Sequence, residues 1–263
     1  MGKSIYRLVR SYGSYDQKKK WRTLDGKVDL DHFEAKVYDF FAKAEQEAED
    51  IMSLPVEFET LVSKSIKPSS TRARRYLKER GITDEDITYW KIGHCVSGEY
   101  ENRIVVPSFN MEGRVNYFVA RSYNDAWKKY TNPPVKKNNM IFNHLYLDFD
   151  KDLIITEGVF DAITAGKNSV PILGSSLRRN SKLFKEIVKN DTPVYIALDQ
   201  DAEKKAHQLI SDLMEYGIEI YKVDISPYSD VSEMGRKAFL DRKKEAGLLS
   251  SENYLLYKIL QSF

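Results

Sequence analysis

From residue 152 onward the chain alternates short apolar segments with helical ones, and nothing else in it constrains the fold as strongly. Residues 152–156 (DLIIT) predict a strand and 158–166 a short helix. Residues 170–173 predict a second strand leading into a Gly174-Ser175-Ser176 turn. A helix is expected over 180–190, a strand over 193–199, a helix over 202–216 that stops at Gly217, and a fourth strand over 218–225. Apolar runs this short, separated by helical patterns, suit strands buried on both faces of a parallel sheet. Parallel neighbours need crossover connections, which the intervening helices supply. The fold class expected is α/β, a mainly parallel sheet with helices on both faces.

In open parallel sheets, ligands sit beyond the carboxyl ends of the strands. Three of the expected strands end in acids: Glu157 after the first, Asp199 and Asp201 after the third, Asp224 and Asp230 after the fourth. Asp199 and Asp201 are two apart, so both are expected on the same side where the chain leaves its strand. If these strands are neighbours, three or four carboxylates converge. Like charges so close repel and raise one another's pKa unless a divalent cation neutralises them. All-oxygen ligation selects Mg²⁺ or Mn²⁺ over zinc. Any one of these acids alone reads more simply as a helix N-cap. The inference comes from their ordered combination.

Upstream, the chain is organised differently. Residues 1–30 lack sustained periodicity and read as a basic arm, or a small strand pair around Leu24–Lys27. Asp31 is expected to cap a helix over about 32–52, whose apolar stripe runs from Phe33 to Ile51. A second helix over 72–80 is expected, capped by Ser69, Ser70 or Thr71 and closed by Gly81. Residues 103–109 and 114–121, joined by Asn110-Met111-Glu112-Gly113, predict a hairpin, followed by a polar, basic stretch over 122–139. Residues 60–140 hold fifteen Lys/Arg against eight Asp/Glu, although the whole chain carries only +2. Such a segment suits a nucleotide or an anionic polymer. Charge alone fits a solvated lysine-rich surface at least as well.

The remaining composition mainly excludes. One cysteine, Cys95, allows neither a disulfide framework nor a zinc ribbon. The four histidines are too scattered for a zinc site. No apolar run approaches the roughly 18 residues of a membrane span, and the N-terminus lacks a signal peptide's apolar stretch. A cytoplasmic protein with no membrane partner is expected.

LIITEGVFDAITA, PILGSSL, VYIALDQDAEKKA and DISPYSDVSEM resemble, in order, the motifs of a Toprim domain, the Rossmann-like fold shared by bacterial primases, topoisomerases and several nucleases. The upstream segments YLKERGITDEDITYWKIGH, RIVVPSF, GRVNYFVAR, KYTNPP and IFNHLYL resemble the smaller basic α+β subdomain that precedes Toprim in bacterial (DnaG-type) primases. The resemblance spans about residues 70–235. It implies a division into a basic arm plus amphipathic helix (1–55), a basic α+β subdomain (56–150), a Toprim catalytic domain (151–231) and a C-terminal helical segment (232–263). It further implies Glu157 as acid/base or metal-proximal carboxylate, Asp199 and Asp201 as Mg²⁺ ligands, and Asp230 as a further acid near the metals. Asp161 matches the second acid of the EG-x-x-D motif, and Arg103, Arg121, Lys129, Tyr130 and Asn132 would line the nucleotide and template cleft.

The activity implied is synthesis of a short RNA primer on a single-stranded DNA template from ribonucleoside triphosphates, with Mg²⁺ or Mn²⁺ and no zinc. The alternatives are a Toprim nuclease and a non-catalytic nucleic-acid-binding replisome subunit. The chain departs from the family at Ala202-Glu203-Lys204, where an Ala-Gly step is usual. It also lacks the lysine often found before the Leu-Tyr segment, a place Lys136 or Lys137 could fill. No Cys pair marks the family's zinc-binding domain. Its role therefore falls to a separate zinc-binding subunit or to the basic arm 1–22, or else priming is poorly selective. A compact, phage-type primase is expected, with a replicative helicase as a candidate partner, and the host cytoplasm as its location if viral.

Overall fold

The computed structural model describes residues 51–63, 67–124, 126–174 and 177–250, together with Ser14, Gln17 and Tyr254. The strand pair expected near 24–27 lies outside these residues, as does the helix expected over 32–52 except at its end. There Ile51 and Met52 are not helical; Met52 instead donates its backbone N–H to Val115 O at 2.9 Å.

The first half builds an antiparallel four-stranded sheet in the order β1 (Phe58–Thr60), β2 (Gly93–Cys95), β3 (Arg103–Phe109), β4 (Val115–Ser122). The hairpin β3–β4 follows the expected segments, and its turn closes through Gly113, whose φ of +74° suits a residue without a Cβ. Strands β1 and β2 were not apparent in the sequence, because three residues give no measurable alternation. Helices α1 (Pro68–Glu79) and α2 (Asp84–Tyr89) connect them. Helix α1 begins before the expected Ser/Thr cap. Pro68 takes the first turn, where its missing N–H costs nothing, and Lys67 is the N-cap residue, its side chain turned to Glu59 at 2.8 Å rather than to the helix end. Helix α2 starts with a capping box in which Thr83 and Asp86 satisfy each other's backbone N–H groups.

Alternation along β3 and β4 sorts their side chains to two faces. Ile104, Val106, Tyr117 and Val119 turn toward the main core, while Val105, Phe118 and Ala120 join Cys95 in a smaller cluster under Met52, Leu54, Phe58 and Tyr100.

The second half is a fully parallel sheet in the order β6-β5-β7-β8, formed by β5 (Leu153–Thr156), β6 (Ser169–Pro171), β7 (Val194–Ala197) and β8 (Ile220–Lys222). Its helices are α3 (Val159–Ala165), α4 (Lys182–Asn190), α5 (Glu203–Met214), α6 (Val231–Met234) and α7 (Arg236–Glu245). Each expected strand is present, although β8 stops at Lys222 rather than continuing to 225. Ile155 and Ile196 face the main core with Phe184 and Ile187 of α4 and Leu209 and Leu213 of α5. Ile154, Tyr195 and Ala197 face the opposite side, covered by Val231 and Met234 of α6 and Phe239 of α7. Both faces are thus buried, which explains why these strands read as unbroken apolar runs.

The segment after α7 departs from the helical tail expected. Leu249 donates to Ile220 O at 2.8 Å, and Leu248 bridges Tyr221, so the chain lies along β8. One apolar cluster runs from the antiparallel sheet through Ile141 and Phe142 into the parallel one. Arg236 reinforces the join, donating to the Asp86 carboxylate of α2 at 2.7 Å. The order places β5 and β7 side by side, and the connection leaving β5 runs to one side, to β6, while that leaving β7 runs to the other, to β8. The crevice at that reversal is where such sheets bind ligands.

Candidate active site

Glu157 leaves β5 at that crevice and Asp199 leaves β7 beside it, since Thr156 and Ala197 are register partners. Glu157 Oε1 accepts from Lys205 Nζ of α5 at 2.6 Å, while Oε2 is buried and has no partner among the described residues. Asp199 precedes the 3-10 turn Gln200–Ala202, and its Oδ1 is likewise buried without a partner there. Burial pushes the Asp199 carboxyl up to about 7, with further contributions from the negative charges of Asp161, Glu157, Asp230 and Asp201.

Asp161 sits in the first turn of α3. Its carboxylate accepts from the Gly158 N–H at 3.1 Å and from the Ser232 N–H at 2.9 Å. It thereby ties the start of α3 to the start of α6. Burial raises it to about 6; the Ser232 N–H opposes the shift and Asp230 adds to it. Asp230 caps α6, accepting from the Glu233 N–H at 2.7 Å.

Glu157, Asp161, Asp199 and Asp230 line a cavity of about 340 Å³ whose lining also includes Arg80, Arg121, Tyr130 and Asn132. Carboxylates from the parallel sheet thus share one cavity with cations from the antiparallel one. Arg121 Nε donates to Tyr76 Oη at 2.6 Å, another nitrogen donates to Tyr130 Oη, and the guanidinium lies over both the Tyr130 and Phe160 rings. Asn132 accepts from the Ala120 N–H at 3.2 Å, which fixes its position beside β4.

Several sequence expectations about placement are revised. Asp201 is exposed and is not among the residues lining the cavity. The two-residue spacing implied a shared side only for extended chain, and the backbone turns into a 3-10 helix directly after Asp199. Asp224 is also outside; it accepts from the Ser226 N–H at 2.9 Å and neighbours Arg242. Arg103 is 9% exposed, with its guanidinium donating to the backbone carbonyls of Lys128 and Lys129 rather than lining the cavity. Lys129 is exposed, and its carbonyl accepts from the Ser122 N–H at 2.9 Å. Glu203, at the position of the lost Ala-Gly step, faces Lys222 and His207. Lys137 donates to Leu173 O at 2.8 Å, at the loop that borders the cavity.

Two residues escaped sequence reasoning. Arg80 lines the cavity between the Tyr76 and Phe160 rings and donates to Ser232 Oγ at 3.2 Å. Its signal was the helix-ending RG of YLKERGI. Lys205 had no signal beyond its place in a lysine pair.

Among the described residues, no group of three or more His, Cys, Asp or Glu side chains is arranged to hold a metal ion. A hard dication does not require such a cage. Mg²⁺ is commonly held by one or two carboxylates, with substrate phosphates and water completing the shell. The two orphaned oxygens of Glu157 and Asp199 are of the right chemistry for it.

No family model matches the chain. It is 26% identical over 214 residues to a DNA primase of Thermotoga maritima, covering 64% of this chain and 38% of the relative. It is 25% identical over 274 residues to a DNA primase of Clostridium acetobutylicum, covering 85% and 45%. The chain therefore spans less than half the length of these relatives. A DnaG primase catalytic domain solved with bound ssDNA superposes with a TM-score of 0.60 at 19% identity, over 75% of this chain and 78% of that one. The Aquifex aeolicus primase fragment with zinc-binding and RNA polymerase domains superposes with a TM-score of 0.59 at 21% identity, over 95% and 72%. The fold is that of the DnaG-type catalytic core. Its parallel sheet with helices on both faces is of the Toprim kind. No helix among the described residues is long and apolar enough to cross a membrane.

Proposed function

We propose that this chain is the catalytic part of a bacterial-type DNA primase, joining ribonucleotides into a short RNA primer on single-stranded DNA in a cytoplasmic replication complex. The observation that carries the reading is the shared cavity: Glu157, Asp199 and Asp230 on one side, Arg80, Arg121, Tyr130 and Asn132 on the other. Nucleotidyl transfer needs both, cations for the triphosphate and carboxylates for divalent metal. The sequence homology to DNA primases supports the same reading. We take residues 56–150 as the basic lobe and 151–231 as the catalytic lobe, with 1–55 and 232–263 as appended segments.

Glu157 and Asp199 would hold Mg²⁺ or Mn²⁺, with Asp230 beside them and Asp201 one turn away. When bound, the ion supplies charge neutralisation at the transferred phosphoryl and a more acidic attacking 3′-hydroxyl. The chain's own residues do the rest. Arg80 and Arg121 present planar donor forks to phosphate oxygens. Tyr130 and Asn132 orient the base or ribose. Asp161 is a positioning residue, holding the segments that carry Glu157 and Asp230 in register through two backbone N–H groups. Lys205 neutralises Glu157 in the metal-free protein.

Incubation with single-stranded DNA, labelled ribonucleotides and Mg²⁺ tests the reading directly. Short labelled RNA is expected, and Asp199→Ala should abolish it while leaving DNA binding mostly intact. Shortened DNA instead of RNA would identify a nuclease. Binding without any product would leave a non-catalytic subunit.

A further inference from the structure

Trp127 is wholly exposed, whereas Trp90, the other tryptophan among the described residues, is buried. A single exposed Leu or Val is ordinary surface; this indole differs in how its loop is built. The Ser122 N–H donates to Lys129 O at 2.9 Å and the Thr131 N–H to Ala120 O at 3.0 Å, so the segment returns along β4. Beneath it, the buried Arg103 guanidinium donates to the carbonyls of Lys128 and Lys129, with three bonds of 3.1–3.3 Å. An internal charge is thus used to hold the backbone immediately after Trp127. The segment 121–137 carries Arg121, Lys128, Lys129, Lys136 and Lys137 against a single acid, Asp125. Tyr130, three residues on, lines the cavity, and three residues span at most about 10 Å.

An exposed aromatic face whose following backbone is held from beneath, among cations and next to a nucleotide-sized cavity, is the arrangement that stacks the bases of single-stranded nucleic acid. We propose that Trp127 is a stacking platform for an unpaired base of the strand entering or leaving the cavity, and that Arg103 is the positioning residue that fixes it. This rests on the primase reading and extends it to a subsite outside the cavity. The occupant is a base on a phosphodiester backbone, whether of the DNA template or of the new RNA.

The test uses fluorescein-labelled dT₂₀ and rU₂₀ in anisotropy titrations of the full chain at several salt concentrations, with tryptophan emission followed in parallel. Trp127→Ala should weaken binding on the order of 10-fold without changing the salt slope, because no phosphate contact is lost. Trp127→Phe should restore most of the affinity, and wild-type emission should be quenched on binding where that of Trp127→Ala is not. Arg103→Lys should reduce the quench while leaving the protein folded by circular dichroism. Loss confined to dT₂₀ places the template on the platform; loss confined to rU₂₀ places the primer there. Equal affinity of Trp127→Ala and wild type for both strands would overturn the platform and leave the primase reading standing. A wild type that binds neither strand would overturn both. Binding of another protein to Trp127, with strand affinity unaffected by its replacement, would reassign the surface and reject the proposal.

Discussion

Replacing Asp199 by Asn should stabilise the metal-free protein at alkaline pH while destroying its activity. The cause is electrostatic. In the folded protein the Asp199 carboxyl is raised from 3.8 to about 7, by burial first and then by Asp161, Glu157, Asp230 and Asp201. Between those two values the folded state holds more protons than the unfolded state, so stability falls as pH rises, and the cost is complete only above about 7. Three units at about 1.36 kcal/mol each set a ceiling of about 4 kcal/mol. Asp199 is only about half buried, and solvent screening reduces this to about 1–2 kcal/mol. For a chain of this size that corresponds to about 3–6 °C in Tm. Asparagine carries no charge and escapes the cost. Thermal melts in EDTA should therefore show Asp199→Asn above wild type at pH 8 and level with it at pH 4.5. Millimolar Mg²⁺ at pH 8 should raise wild type and not the variant. A variant less stable than wild type at pH 8, or a gain independent of pH, would refute the argument that burial and the neighbouring carboxylates make the ionised Asp199 costly without metal.

Three further outcomes follow from named contacts. Arg80→Met should raise the ribonucleotide concentration for half-maximal synthesis by about 10-fold, through loss of a charge-assisted phosphate contact; an unchanged half-saturation would remove Arg80 from the nucleotide site. Asp86→Ala removes both the α2 capping box and the acceptor of Arg236, and urea unfolding should show a loss of about 2–3 kcal/mol. Gly93→Ala would drive a Cβ into the Phe58 ring and the Glu59 carbonyl. Strand β1 cannot retreat without breaking its pairing with β2, so a loss of about 3 kcal/mol is expected in the same assay.

The parallel sheet could be read from residue order because its strands are buried on both faces, and burial on both faces writes a continuous apolar run. The β3–β4 hairpin was readable for a related reason, two β-rich runs around a Gly-containing turn. The short strands Phe58–Thr60 and Gly93–Cys95 carry too few residues for any period to show. They form because β3 offers β2 an edge to pair with, and β2 in turn offers one to β1. Helix α1 begins at Pro68 because a proline's missing N–H is one the first turn leaves unpaired in any case, and the Ser70 hydroxyl pairs with His94 Nε2 at 3.1 Å instead of capping.

For the site, residue order placed Glu157 and Asp199 at the ends of apolar segments, and that much is local chemistry. Three matters were decided only by tertiary structure. Asp201 left the cavity because the chain turned. Arg103, a cation at a strand end, went to backbone carbonyls because its loop folded over it. Arg80 entered because α1 delivered it between two aromatic rings. A side chain's identity states which bonds it can make, but the direction in which the backbone carries it chooses among them, and that direction is set by contacts far away in the chain.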